Sequence, residues 1–115
     1  MQIQVNTDDH IQGGESLAKW IQDEASTRLS RFKENVTRVE VFLSDLDGSK
    51  SGVNDKRCRA EARVAGRQPV TVTAEADKMA AAFVAAIDKL ERALDNDLGR
   101  AKDRNARDTI RAVQE

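Results

Sequence analysis

Between residues 79 and 98 the apolar side chains recur every three or four positions. Met79, Phe83, Ala86, Ile87, Leu90, Ala93, Leu94 and Leu98 form the series, and an α-helix is the conformation that gathers such a series on one face. The spacing predicts one long helix from Met79 to about Arg107. The rest of the chain must then supply an apolar surface for that face to cover. A second series lies on another side of the same segment: Lys89, Arg92, Arg100, Arg104, Arg107 and Arg111, at steps of 3, 8, 4, 3 and 4, with Asn96 in the wide gap. Asp95, Asp97 and Gly99 interrupt it before Arg100, so the cationic row divides into two clusters.

The segments before this helix read as the surface it needs. Gln2 to Val5 alternates polar and apolar, as a strand with one buried face does. Leu17, Trp20, Ile21, Ala25, Leu29 and Phe32 predict a second amphipathic helix over about Glu15 to Phe32, with Lys19, Arg28, Arg31 and Lys33 on its outer side. The bases near its C-terminal end suit the helix dipole as well as any ligand. Val36 to Ser44 alternates with Val39, Val41 and Leu43 inward; Arg57 to Val64 with Cys58, Ala60, Ala62 and Val64 inward; Gln68 to Ala74 with Val70 and Val72 inward. Ser44 to Asp55 is rich in Gly, Ser, Asp and Asn and reads as a loose hairpin connection. Ala65 to Gln68 reads as a tight turn, and Pro69 belongs on an edge or at a strand start.

The predicted order is β-α-β-β-β-α. The three later strands join by hairpins and are antiparallel, whereas the first reaches the second through a helix, which makes that pair parallel. Two apolar helix faces and one apolar sheet face require an α+β two-layer sandwich, with both helices on one side of a four-stranded mixed sheet. Residues 1–98 form the domain and residues 99–115 a charged extension, either continued helix or disordered.

At 115 residues the chain forms one domain. Only Trp20, Phe32, Phe42 and Phe83 are aromatic, so the core must be aliphatic and rich in alanine. The single cysteine, Cys58, has no internal disulfide partner, and no segment approaches the ~20 apolar residues of a membrane span. The N-terminal residues lack a signal-peptide pattern. A cytoplasmic protein is expected.

Catalytic and metal chemistry find little support. His10 is the only histidine and lies in an acidic stretch, Cys58 sits at an inward strand position, and metal-ligand spacing is missing. No cofactor is expected. Gly13-Gly14 precedes a helix, but Asp8, Asp9 and Glu15 would repel a phosphate there. The Asp-x-Asp-Gly stretch at residue 45 has its glycine misplaced for a calcium loop and Lys56 where the closing glutamate belongs.

Charge distribution says more than the net charge of −1. Acids dominate from Asp8 to Glu24, and bases from Lys56 to Arg67. Lys89, Arg92, Arg100 and Arg104 on the last helix, with Lys19, Arg28, Arg31 and Lys33 on the first, are spaced to bridge phosphates of structured RNA without reading bases. Arg57, Arg59 and Arg63 form a second basic patch on the outer sheet face. The same charges also fit a solvated surface with intrahelical ion pairs such as Asp88–Arg92 and Asp103–Arg107, with Glu61 offsetting its neighbouring arginines. An exposed Phe42 between Arg38 and Arg59 would fit a regulatory protein-interaction module on the open sheet face. A generic structured-RNA binder is a third reading.

The element order, the run Val39-Glu40-Val41-Phe42-Leu43 and above all Ala86-Ile87-Asp88-Lys89-Leu90-Glu91-Arg92-Ala93-Leu94 resemble the ribosome hibernation-promoting factor family. That family includes the ribosome-associated translation inhibitors, also called sigma-54 modulation proteins. The resemblance covers roughly residues 1–104, and the run Asn54 to Arg63 is similar to a proteobacterial branch of short members. It implies a non-enzymatic protein that binds the small ribosomal subunit and its RNA in the channel of messenger and transfer RNA. Such a protein silences ribosomes by steric exclusion in stationary phase or stress. It implies that Lys89 and Arg92, then Arg28, contact ribosomal RNA, with Arg100, Lys102 and Arg104 in the family's basic C-terminal region. It also implies a chain that is monomeric off the ribosome and lacks the dimerisation domain of long members. Asp95 and Asp97 depart from the family, standing where it is usually rich in lysine.

Overall fold

The computed structural model describes residues 1–7, 14–46 and 55–114, with side chains from residue 15 in the first helix and up to residue 99 in the last. The elements are β1 (Gln2–Thr7), α1 (Gly14–Arg28), a 3-10 turn (Ser30–Phe32), β2 (Val36–Asp45), β3 (Lys56–Val64), β4 (Val70–Ala76) and α2 (Met79–Gln114). His10, Gly13 and most of the connection between β2 and β3 lie outside the described residues.

The strands form one four-stranded sheet in the order β1-β2-β3-β4. β1 pairs parallel with β2, and the other two pairings are antiparallel. The register aligns the inward rows: Ile3 with Val39 and Val5 with Val41, then Val39 with Ala62, Val41 with Ala60 and Leu43 with Cys58. Cys58 lies opposite Ala74 and Ala60 opposite Val72. The predicted α+β sandwich and its inward faces are therefore the observed ones. The register shifts between Val36 and Arg38. An extra residue at Thr37 lets Val36 and Val39 both point into the core despite their odd spacing, as a β-bulge does.

α1 is shorter than the apolar spacing predicts. It ends at Arg28, and Phe32 is carried into the core by the tighter 3-10 turn. The amides of Phe32 and Lys33 donate to the carbonyls of Leu29 and Ser30, and the Ser30 hydroxyl donates to the Thr27 carbonyl. These bonds satisfy carbonyls that the end of an α-helix leaves open. Trp20 also departs from expectation. It stays 39% exposed at the rim of α1 and meets Phe83 edge-on, with ring centroids 5.5 Å apart.

α1 lies over β1, and α2 lies over β3 and β4. Under α2 the sheet offers Cys58, Ala60, Ala62 and Ala74, all buried. These small side chains let the helix approach closely, and Phe83, Ile87, Leu90 and Leu94 fill the space above them. Gly66, at φ 71°, makes the turn between β3 and β4. Pro69 directly precedes edge strand β4, where its missing N–H costs no ladder bond. The first bond of α2 runs from the Ala82 amide to the Lys78 carbonyl.

Leu90→Ala is expected to lower the unfolding free energy by about 2–5 kcal/mol in urea titration, because Leu90 is wholly buried. Burial pushes the Cys58 thiol up to about 12, so it stays neutral and unreactive. A thiol reagent at neutral pH should label Cys58 only in denaturant; rapid labelling of the folded protein would contradict this placement.

Candidate nucleic-acid interface

Both helices cover one side of the sheet, and their outer surfaces meet along a seam. Trp20 contacts Phe83, Arg28 contacts Asp88 and Glu91, and Arg31 contacts Asp95. The partners advance together along both helices, so α1 and α2 run in the same direction. On α2 the acids Asp88, Glu91 and Asp95 follow steps of three and four from Val84, which aligns them on the flank facing α1.

Arg28 is the most engaged of the predicted RNA contacts. Its guanidinium donates to Asp88 through Nη2 and to Glu91 Oε1 through Nε at 3.3 Å. Partial burial disfavours its charge, but the hydrogen bond to Asp88 and the field of Glu91 outweigh that and raise its pKa. Arg31 forms a two-pronged pair with Asp95, Nη1 to Oδ1 at 2.5 Å and Nη2 to Oδ2 at 3.0 Å. That hydrogen bond raises the pKa of Arg31 and lowers that of Asp95. Asp88 thus pairs across the helices with Arg28, and the intrahelical Asp88–Arg92 pair is not formed.

The other flank of α2 faces the β4 side. Lys89 Nζ donates to the Thr73 carbonyl at 2.9 Å. Beyond the sheet, Asp97 accepts two bonds from Arg67 of the β3–β4 turn, at 2.9 and 3.1 Å, which raises the pKa of Arg67. Arg92 and Lys19 are exposed and have no ion-pair or hydrogen-bond partner among the described residues. The side chains of Arg100, Lys102 and Arg104, and the Asp103–Arg107 pair, lie outside the described residues.

The outer sheet face carries the second predicted patch, and its charges are largely compensated. Arg57 Nη2 donates to Glu75 at 2.7 Å across to β4. Glu61 lies between Arg59 and Arg63, at 3.6 and 3.8 Å. Phe42 is half-buried, and the Arg59 guanidinium lies over its ring 5.3 Å from the centroid. That stacking occupies the aromatic face that a protein-interaction surface would use.

The helical layer thus presents a charged outer seam with an apolar end at Trp20 and Val84, both exposed. Cations without a partner among the described residues flank the seam, and paired arginines run along it. Such a surface can meet phosphates by electrostatics. No group of metal-ligating side chains occurs among the described residues. The carboxylates Glu91, Asp95 and Asp97 are partners that the sequence does not announce, and Asp88, expected to pair with Arg92, pairs with Arg28 instead. Their signal was the acidic series at helical spacing beside the cationic one, but its partners lie on other elements.

The sequence matches the family described as sigma 54 modulation protein / S30EA ribosomal protein over residues 3–102. Comparison with curated proteins gives no match. Among solved structures, the N-terminal domain of Thermus thermophilus Protein Y is similar over 80% of this chain and 93% of that one, with 24% identity and a TM-score of 0.62. A ribosomal subunit interface protein from Coxiella burnetii is similar over 86% of this chain and 99% of that one, with 16% identity and a TM-score of 0.61. These two likenesses are of fold.

The Asp95 carboxyl is depressed by Arg31, so its stabilising effect is complete above the ordinary carboxylate range near pH ~4 and is lost as pH falls through the depressed value. The stability difference between the native protein and Asp95→Asn should therefore stay constant from about pH 8 to 5 and shrink below about pH 4. Urea midpoints across this range measure it. A difference that persists in strong acid would contradict the pairing.

Proposed function

This chain belongs to the family of sigma 54 modulation proteins and S30EA ribosomal proteins, and on that premise we propose that it is a ribosome-associated translation inhibitor. The family match over residues 3–102 carries this reading. The protein binds the small subunit in the channel of messenger and transfer RNA, with its helical layer toward ribosomal RNA. Translation is blocked because two bodies cannot share one channel; no bond is made or broken. The setting is the cytoplasm of stressed or stationary-phase cells, and the protein is monomeric off the ribosome. No helix among the described residues is long and apolar enough to cross a membrane.

Several observations support the helical layer as the RNA-facing side. It bears Arg92 and Lys19, both exposed and unpaired among the described residues. Lys89 reaches only a backbone carbonyl, so a phosphate can take its ammonium without stranding a buried charge. Arg28 and Arg31 stand on the same layer but must exchange carboxylate for phosphate. Residues 1–98 are the binding domain in this reading, and residues 99–115, with Arg100, Lys102 and Arg104, a charged extension of the same surface. The outer sheet face, where glutamates offset Arg57, Arg59 and Arg63, is a weaker match to a polyanion.

Sucrose-gradient sedimentation at two salt concentrations tests the proposal. The protein should travel with small subunits or whole ribosomes at low salt and be released as salt rises. Arg92→Glu, alone or with Lys89→Glu, should weaken co-sedimentation at least about ten-fold while circular dichroism stays native; reversing one phosphate contact and adding a repulsion costs at least a factor of that order. A protein that stays at the top of the gradient at low salt would refute the proposal. Unchanged binding by both variants would place the footprint on another surface.

A further inference from the structure

The arginines of the helical seam are not idle. Arg31 directs both terminal nitrogens at Asp95, and Arg28 commits Nε and Nη2 to Glu91 and Asp88. Three carboxylates thus hold two guanidiniums. A guanidinium fork that embraces a carboxylate cannot present the same N–H groups to a phosphate. A phosphate that takes Arg31 also leaves Asp95 unpaired beside a polyanion, and that repulsion opposes binding. We propose that Asp95, with Asp88 and Glu91, restrains the RNA affinity of this surface by making phosphate contact with Arg31 and Arg28 conditional on displacing a carboxylate. The inference rests on the helical layer being the RNA-facing side.

The consequence is a weaker hold on any RNA that reaches the seam. A stretch of generic duplex RNA offers a few phosphates to Arg92 and Lys19, and one that reaches Arg31 must also offset the loss of a carboxylate pair. A folded site that engages the whole seam bears the same loss at each arginine and binds because its many contacts exceed it. Because the pairs are partly or largely exposed and the helices are held by their buried apolar faces, the acids can be neutralised without dismantling the fold.

The test uses the whole protein and a short duplex RNA of arbitrary sequence, with binding read by fluorescence anisotropy over a range of salt. Asp95→Asn is compared with Asp23→Asn, which makes the same charge change at an exposed α1 position with no partner among the described residues. Asp95→Asn should bind about two- to five-fold more tightly than Asp23→Asn, the range that one exposed ion pair commands. Its plot of log affinity against log salt should be steeper by about one, for one added phosphate contact. Adding Arg31→Gln to Asp95→Asn should abolish both gains. Asp88→Asn/Glu91→Gln provides an independent copy of the test through Arg28. The inference is overturned if Asp95→Asn matches Asp23→Asn in affinity and slope, undetectable binding by both included. It is also overturned if the gain survives Arg31→Gln. Sedimentation of the unaltered protein with ribosomes judges the ribosomal role separately, since the duplex comparison does not depend on its outcome.

Discussion

The structure depends on the burial of one face of α2 against a floor of small side chains. Phe83, Ile87, Leu90 and Leu94 are almost completely removed from solvent, and beneath them lie Cys58, Ala60, Ala62 and Ala74. Large residues on the helix and small ones on the strands form a complementary pair of surfaces, and each large side chain so buried contributes about 1.5–3 kcal/mol. With aromatics scarce, close approach replaces bulk as the means of filling the core. Once this face is docked, the rotation of α2 about its axis is settled. So are the flank turned toward α1 and the side left to water.

The electrostatic character of the helical layer follows from that rotation. Because Phe83 and Leu90 point down, Asp88, Glu91 and Asp95 meet α1 and the 3-10 turn that follows it, and their partners there are Arg28 and Arg31. On the other flank the same rotation brings Lys89 to the Thr73 carbonyl. Beyond the end of the sheet Asp97 reaches Arg67. A nearly neutral chain thereby arranges its charges as a seam of bound pairs flanked by Arg92 and Lys19, cations without a partner among the described residues. The field at such a surface depends on which charges are already taken, and the net charge says little about it.

Much of the fold was legible because its signals are local and periodic. The strict alternation in β3 and the three-four spacing in α2 each name a buried face, and element order with hairpin connections then leaves few topologies. Finer features depended on tertiary context. Val36 and Val39 share the core only because of the bulge at Thr37, and no spacing rule announces it. The apolar series of α1 ran unbroken to Phe32, whereas the backbone tightens after Arg28 to aim that ring. Trp20 fits the apolar stripe by spacing, yet it lies half-exposed at the rim of α1, edge-on to Phe83. The candidate site was less legible still. Cations were visible as a series, but Asp88 looked equally able to pair with Arg92 within the helix. Only the packing of α1 beside α2 decides for Arg28. The acids at 95 and 97, a departure from the lysine-rich pattern that the resemblance implied, are explained by arginines on two other elements.

The central claim is that the helical layer, rather than the outer sheet face, meets the ribosome. Hydroxyl-radical footprinting of the protein free and bound to small subunits, read by mass spectrometry, addresses it directly. The two faces carry distinct oxidisable reporters: Trp20 and Val84 on the helices, Phe42 on the sheet. The account predicts that binding protects Trp20 and Val84 and leaves Phe42 unchanged. Protection of Phe42 with Trp20 still fully reactive would contradict it.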